Sequence, residues 1–449
     1  MTATLSTVPE AGLERRPPDR PPPPDTLAET GLSEEFLIQL LLRILYTRGA
    51  RPGQEVSETI ALPFALIDDL IMTLQQRRLV EVRGTHGPNR QAYIFDLTTD
   101  GRERAREAMM SSHYAGPAPV PLPHYREWAE RQSIANAKVR RADIEAAFQD
   151  VVLPPDTIEA LGPAVNSGKS IFLFGDSGNG KTMIAEKLAG LLGGEIFVPY
   201  AVEVDGQIMA IYDPAYHRAV LDDGPEVTSL LHRREAGFDR RYTRVHRPMV
   251  VMGGELTLDQ LDLRYDSFTK LYQAPSQVKA NGGVLIIDDF GRQRIPPREL
   301  LNRWILPLEK RIDYLTLHTG SKFSVPFDCL LIFATNLDPD DLVEEAFLRR
   351  IHYKLYVDSP TREQYAAIFE RCCEVRDIVY DPAAISRMYD RVYQQARIRP
   401  RACHPRDVLD HVLDVARFRD VPPTLAPELL DPACRAYFLE TSAESPTHV

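Results

Sequence analysis

Cysteine is scarce in this chain and is not arranged for bridges or metals. The five present, Cys329, Cys372, Cys373, Cys403 and Cys434, include no C-x-x-C pair and no histidine at zinc-finger spacing. They are expected to be reduced thiols in packed surroundings, with metal ligation the lesser reading. Long hydrophobic runs are missing as well. No stretch reaches the ~18 uncharged apolar residues of a membrane helix, and the N-terminus is polar and proline-rich, unlike a signal peptide. The expectation is a cytoplasmic protein without membrane insertion. Nor is there an excess of positive charge: 53 Lys and Arg stand against 64 Asp and Glu, a formal net charge of −11. That balance argues against a protein whose main work is coating nucleic acid, while leaving room for a local basic patch. What the chain does have is 449 residues, 44% of them hydrophobic, enough for about two or three domains with cores of their own.

The stretch that organises the rest runs from Ser170 to Ile184. Ile171, Phe172, Leu173 and Phe174 carry no charge, as a strand does when both faces of its sheet are covered. Gly175, Asp176, Ser177, Gly178, Asn179, Gly180, Lys181 and Thr182 then spell G-x-x-x-x-G-K-T without a mismatch. The glycines allow successive N–H groups to point inward at an anion, and a helix starting near Lys181 adds the positive end of its dipole. Lys181 would reach the β and γ phosphates of ATP, and the Thr182 hydroxyl would ligate Mg2+. Met183 continues the nucleotide-binding set. An ordinary glycine-rich turn would not need an amphipathic helix behind it, yet Ile184, Leu188, Leu191 and Leu192 fall on one face.

Upstream, residues 1 to 30 read as a disordered proline-rich tail, with Pro17, Pro18 and Pro21 to Pro24 among charges. Residues 31 to 112 then give three helical patterns, two strand-like runs around the Gly84 to Asn89 turn, and a last helix. That order resembles a winged helix, an α+β module. Its third helix offers Asp68 and Asp69 where a DNA reader needs cations or amides, so protein docking is the favoured use and DNA contact the lesser one. Four prolines between Ala115 and Pro123 mark residues 113 to 124 as an extended linker. One mixed-charge helix is expected from Tyr125 to about Phe148. Val152 and Leu153 could stack on an adenine or simply join the core.

Downstream, Val284 to Ile287 form a buried-strand pattern that ends in Asp288 and Asp289. Carboxylates at such a tip lie where ligands of open α/β sheets bind. Asp288 would hold Mg2+ through its water shell, and Asp289 would polarise the attacking water. A third apolar strand, Cys329 to Ala334, leads into Thr335 and Asn336, whose amide could bond the water or the γ-phosphate.

Taken together, these residues resemble the AAA+ ATPase superfamily from about Asp150 to Phe438. The resemblance implies a P-loop α/β core over 125 to 357, built on a parallel sheet, and a C-terminal α-helical lid over 358 to 440. Residues 441 to 449 remain as a tail. It also implies that Lys181 and Thr182 bind phosphate and magnesium, that Asp288 and Asp289 are the Walker B pair, and that Asn336 is sensor 1. Most members carry Glu where this chain has Asp289. The segment from Glu345 to Ile351 resembles the one that sends an arginine into a neighbouring subunit's site, with Arg350 the first choice and Arg349 the second. Arg406, at the start of the third lid helix, stands where the family places its sensor 2 arginine.

A hairpin between Asp313 and Phe327 and an expansion between Val198 and Gly282 look like the clade of MoxR-type and other hairpin-bearing members. These act mostly as chaperones or remodellers, some of them tied to pilus or secretion machinery. The arginines of the expansion (Arg233, Arg234, Arg240, Arg241, Arg244, Arg247) read as a solvated face rather than a nucleic-acid groove. The resulting expectation is a ring-forming ATPase, a hexamer, that hydrolyses ATP between subunits and remodels a protein client. Two rivals are a DNA-tethered ATP-dependent regulator and a nucleotide-gated scaffold that barely hydrolyses.

Overall fold

Apolar strands that alternate between two hydrophobic layers set the architecture of the computed structural model, which describes residues 20–220, 237–339, 348–395 and 397–438. Arg233, Arg234, Glu235, Glu345, Ala346 and Phe347, with both chain ends, lie outside the described residues. Five parallel strands are ordered Met249–Met252, Val284–Ile287, Leu330–Thr335, Ile171–Phe174, Tyr353–Tyr356. Ile171, Leu173, Val284, Ile286, Leu330 and Ile332 face one layer, which includes Leu161, Ile184 and Leu188 from the helices Pro155–Asn166 and Lys181–Leu191. Phe172, Leu285, Ile287, Leu331 and Phe333 face the other, against Phe290, Leu300 and Trp304. A sheet covered on both faces is what uninterrupted apolar strands require. From the Ile171–Phe174 strand the chain runs to the far edge, returns strand by strand to Leu330–Thr335 on one side of it, and crosses last to Tyr353–Tyr356 on the other. The strand order therefore reverses here, and ligands of open α/β sheets bind at the carboxyl ends beside such a reversal.

Four helices follow, Arg362–Glu374, Pro382–Tyr389, His404–Arg419 and Pro427–Tyr437, around their own core of Tyr365, Phe369, Val408, Val412 and Leu430. The P-loop α/β core and the C-terminal helical region are thus as expected. The 313–327 hairpin also forms, from Ile312–Thr316 and Lys322–Pro326. At the other end come the helices Glu34–Arg48, Gly53–Ile60 and Phe64–Gln76, the hairpin strands Val80–Thr85 and Tyr93–Leu97, and the helix Thr99–Ser111.

Three expectations are corrected. The stretch expected as a linker is packed structure: Val120–Pro121 pairs in parallel with Ala201–Val204 at the edge of a second five-stranded sheet. The Ala118 amide also donates to Ile60 O, and the His113 amide to Thr269 O. Proline cannot donate to an inner ladder position but serves well at an edge. The single helix expected over 125–148 is two, Leu122–Arg131 and Arg141–Ala147. Asp328 draws the chain aside between them by accepting from Ser133 Oγ and the Ile134 amide. Finally, residues 20–30 of the expected tail are tied to the fold near both ends: Pro21 O accepts from the Asp239 amide and Thr30 O from Arg241 Nη1.

His404 gives the helical unit a pH dependence. It is 6% exposed, its Nδ1 lies 2.9 Å from Tyr393 Oη, and that hydroxyl lies 2.9 Å from Tyr365 Oη. Burial, assisted by the charge of Arg401 and opposed by Asp407, pushes the imidazole down from 6.5 to about 4. Between those values the unfolded chain holds a proton that the folded chain does not. Stability is therefore full above pH ~6.5 and falls as pH drops towards ~4, by up to about 3 kcal/mol. Urea midpoints measured across this range should show that slope in the native protein, and His404→Gln should flatten it.

Candidate functional site

At the end of the Ile171–Phe174 strand the backbone turns through Gly175, Gly178 and Gly180 at φ of +138°, +83° and +85°. These angles favour glycine, and space demands it as well. A Cβ on Gly175 would lie 2.3 Å from Val357 O, and one on Gly178 would lie 2.6 Å from Cys403 Sγ. The loop closes onto the first turn of the Lys181–Leu191 helix, where Lys181 Nζ donates to Gly175 O and Asp176 O, each at 2.9 Å. Burial pushes the Lys181 ammonium down, while Asp289, Asp176 and Asp288 pull it back up and Arg401 adds to the lowering. An anion seated in the loop would satisfy that half-buried cation.

Thr182 Oγ1 donates to Asp288, with both carboxylate oxygens at 3.0 Å. A hydroxyl and a carboxylate side by side are hard oxygen donors of the kind magnesium takes. Among the described residues no group of three or more His, Cys, Asp or Glu is gathered for a metal. An ion here would draw its remaining ligands from phosphate and water, which is the usual habit of magnesium in phosphoryl-transfer sites. The residues present fit the group, and a bound ion would neutralise charge on the phosphates.

Asp289 is exposed and left-handed, at φ +48°, a region Asp and Asn enter more readily than longer residues. Its carboxylate favours the charged form of Lys181 more than those of Asp176 and Asp288 do, which sets it beside the ammonium. Asn336 follows Thr335, and its Oδ1 accepts from Arg292 Nε at 3.2 Å. Ser177 and Met183 are exposed on the loop and the helix behind it, whereas Asn179 is buried, with Oδ1 accepting from the Ala402 amide. Leu153 packs on the core layer beside the loop helix.

Arg350 is placed elsewhere. Its carbonyl accepts from Ser170 Oγ and its Nε donates to Glu309 at 2.6 Å. Ser170 precedes the strand that Gly175 follows, so Arg350 sits at the opposite end of the sheet from the phosphate loop, about 13 Å away by strand rise. Arg349 lies exposed in the same turn. Arg406 is also not brought to the loop: its guanidinium pairs with Asp407 at 2.8 Å. The helical unit meets the loop through the segment before that helix. Arg399 pairs with Asp176 at 3.3 Å, and the Cys403 amide donates to Gly178 O at 2.9 Å. Arg401 passes alongside Gly178.

Arg292, Arg399, Arg401 and Cys403 are the neighbours that sequence reasoning missed. The spacing of Arg397, Arg399 and Arg401 just before a helix start was an available signal. Arg292, in a turn without periodicity, offered none.

A parallel sheet, a glycine-rich loop at the tip of its inner strand and a strand-end carboxylate on the loop threonine define a P-loop α/β protein. No curated protein matches the chain. A family model described as a domain of unknown function, DUF8689, matches residues 361–436, the stretch of the C-terminal helices. Among solved structures the chain is similar to NtrX from Brucella abortus in complex with ATP, at 14% identity and a TM-score of 0.39, over 62% of this chain and 56% of that one. It is also similar to the Thermotoga maritima RuvB Holliday junction branch migration motor, at 15% identity and a TM-score of 0.34, over 66% and 70%. The chain therefore spans little more than half the length of the NtrX chain.

The loop geometry yields a direct test. Gly178→Ala should weaken MgATP binding by about tenfold or more, because strain and the clash with Cys403 both displace the loop. Titration calorimetry of the full chain with MgATP measures it.

Proposed function

We propose that the protein is an AAA+ ATPase that hydrolyses ATP as a ring oligomer and uses the energy to remodel a protein client. The observation that carries the hydrolase reading is the contact of Thr182 with Asp288 directly behind the Lys181 loop. In this reading the loop amides and Lys181 hold the triphosphate, Thr182 and Asp288 hold Mg2+, and Asp289 takes up the proton of the attacking water. Asn336 donates to the substrate from the neighbouring strand end. Arg350, at the far end of the sheet, serves the site of an adjoining copy, where charge builds on the γ-phosphoryl oxygens. Arg349 is the second choice for that role, and Arg401 replaces Arg406 as the cation that couples the helical unit to the nucleotide.

The N-terminal module is assigned to protein docking. The arginines of its hairpin are taken up internally, since Arg90 on the turn pairs with Asp68 of the third helix at 2.7 Å and Arg83 pairs with Asp96 on the facing hairpin strand at 2.8 Å. A DNA reader would need those arginines for phosphates, so the DNA-tethered regulator stays the weaker reading. Among the described residues no helix is long and apolar enough to cross a membrane.

Asp289→Asn should retain ATP binding and lose turnover by about a hundredfold or more. Turnover unchanged by that substitution would favour the nucleotide-gated scaffold instead. Arg350→Ala should also bind ATP and lose turnover by about a thousandfold. Mixing the two inactive variants then tests the shared site. An interface that combines the intact Asp289 of one copy with the intact Arg350 of the other should recover part of the activity. If the mixture stays inactive, Arg350 does not act across copies.

A further inference from the structure

We infer that Arg292 is a positioning residue for phosphate cleavage, acting by fixing which way the Asn336 amide points; the inference rests on the hydrolase reading above. Two strand ends are stitched together around this pair. The Phe290 amide donates to Ala334 O at 2.7 Å, and Thr335 Oγ1 donates back to Phe290 O at 2.7 Å. Phe290 is itself fully buried, edge-on to Phe172 and Phe333. The turn that follows is equally tied. The Arg292 amide donates to Asp289 O at 2.9 Å, the Gly291 amide to Gln293 Oε1 at 2.8 Å, and Gln293 Nε2 to Asp288 O at 2.8 Å. Arg292 therefore reaches Asn336 from a turn held on both sides.

The chemistry of the contact is one-directional. A guanidinium has donors and no acceptor, whereas a side-chain amide has an oxygen at one corner and a doubly protonated nitrogen at the other. Arg292 Nε can engage only Asn336 Oδ1, which it does at 3.2 Å. Nothing among the described residues accepts from Asn336 Nδ2, so both its N–H groups remain for the substrate. A γ-phosphate oxygen can only accept. The flipped amide would turn its own oxygen toward that anion and lose the donor. Arg292 thereby selects the donating orientation and keeps it through the reaction, so that no reorganisation is needed when charge develops.

The test uses the full-length chain, with steady-state turnover, the KM for ATP and direct binding of a fluorescent ATP analogue. Arg292→Ala should lower kcat about tenfold, the scale of one hydrogen bond to a charged group, with KM and analogue binding within about twofold of wild type. Arg292→Lys keeps a donor and should recover most of the rate. In an Asn336→Ala background, Arg292→Ala should cost nothing further. Arg292 is on the surface, and melting temperatures of all variants check that each is folded.

An Arg292→Ala rate equal to wild type overturns the inference. So does a double variant in which the two losses multiply, since Arg292 would then act on the substrate without Asn336. Wild-type turnover in the same assay separates the two levels. Its absence overturns the hydrolase reading together with this inference, whereas its presence beside an unaffected Arg292→Ala overturns the inference alone.

Discussion

The hydrogen bond from Thr182 to Asp288 is the contact on which the rest of the site depends. The two residues follow strands that are not neighbours, because Leu330–Thr335 lies between Ile171–Phe174 and Val284–Ile287. For the loop helix to reach across, the register of three strands must agree. It does: Phe333 is paired with both Phe172 and Ile287, which brings the three carboxyl ends to one level. Asn336, one residue past the middle strand, is delivered to the same level by the same pairing. A slip of one residue in any of the three would turn that strand's own side chains, Phe172, Leu285 or Phe333 among them, to the opposite layer. The apolar core therefore enforces the alignment of the polar groups, at no cost to those groups themselves.

The helical unit bears on this site through backbone more than through side-chain charge. Cys403 and Ala402 bring amides to Gly178 and Asn179, which places the start of the His404–Arg419 helix directly on the loop. The close fit of Gly178 against Cys403 means that the loop cannot change shape without moving that helix start. His404, next in sequence, is locked into the helical core by Tyr393 and Tyr365. A movement of the loop thus has a packed route into the helices, made of neighbours in contact rather than of long-range charge.

Much of this was legible in the sequence. The uncharged run Ile171 to Phe174, the glycine spacing and the strand ending in Asp288 each carry a local signal, and periodicity marks Ile184, Leu188 and Leu191 as inward. The misreadings share one cause. Val120 and Pro121 look like a spacer because proline content is a local property, whereas their pairing with Val202 and Glu203 is set by a strand some eighty residues away. Arg406 was favoured for its position at a helix start, yet Asp407 beside it takes its charge, and Arg401 has the shorter path to the loop. Arg292 shows the limit most clearly. Its role comes from a meeting of two strand ends, and no spacing within either segment encodes it.

Among the arginines of the expansion, Arg241 departs from the solvated face expected of them. Arg241 is neither a solvated cation nor part of a groove: it is buried, pairs with Asp239 at 2.8 Å, and donates to Thr30 O. A buried pair of this kind adds little net stability, but removing one partner leaves a stranded charge that costs about 3–5 kcal/mol. Its value here is geometric, because Thr30 lies just ahead of the Glu34–Arg48 helix and Asp239 just ahead of the Tyr242–His246 strand. With Val120 on Val202 and His113 on Thr269, the N-terminal module is joined to the inserted sheet at several separate points. Several fixed points define an orientation, which a single flexible tether cannot. Under the proposed reading, a client held by the module would be held at a set position relative to the phosphate loop, and that is the condition under which changes at the loop could do mechanical work on it.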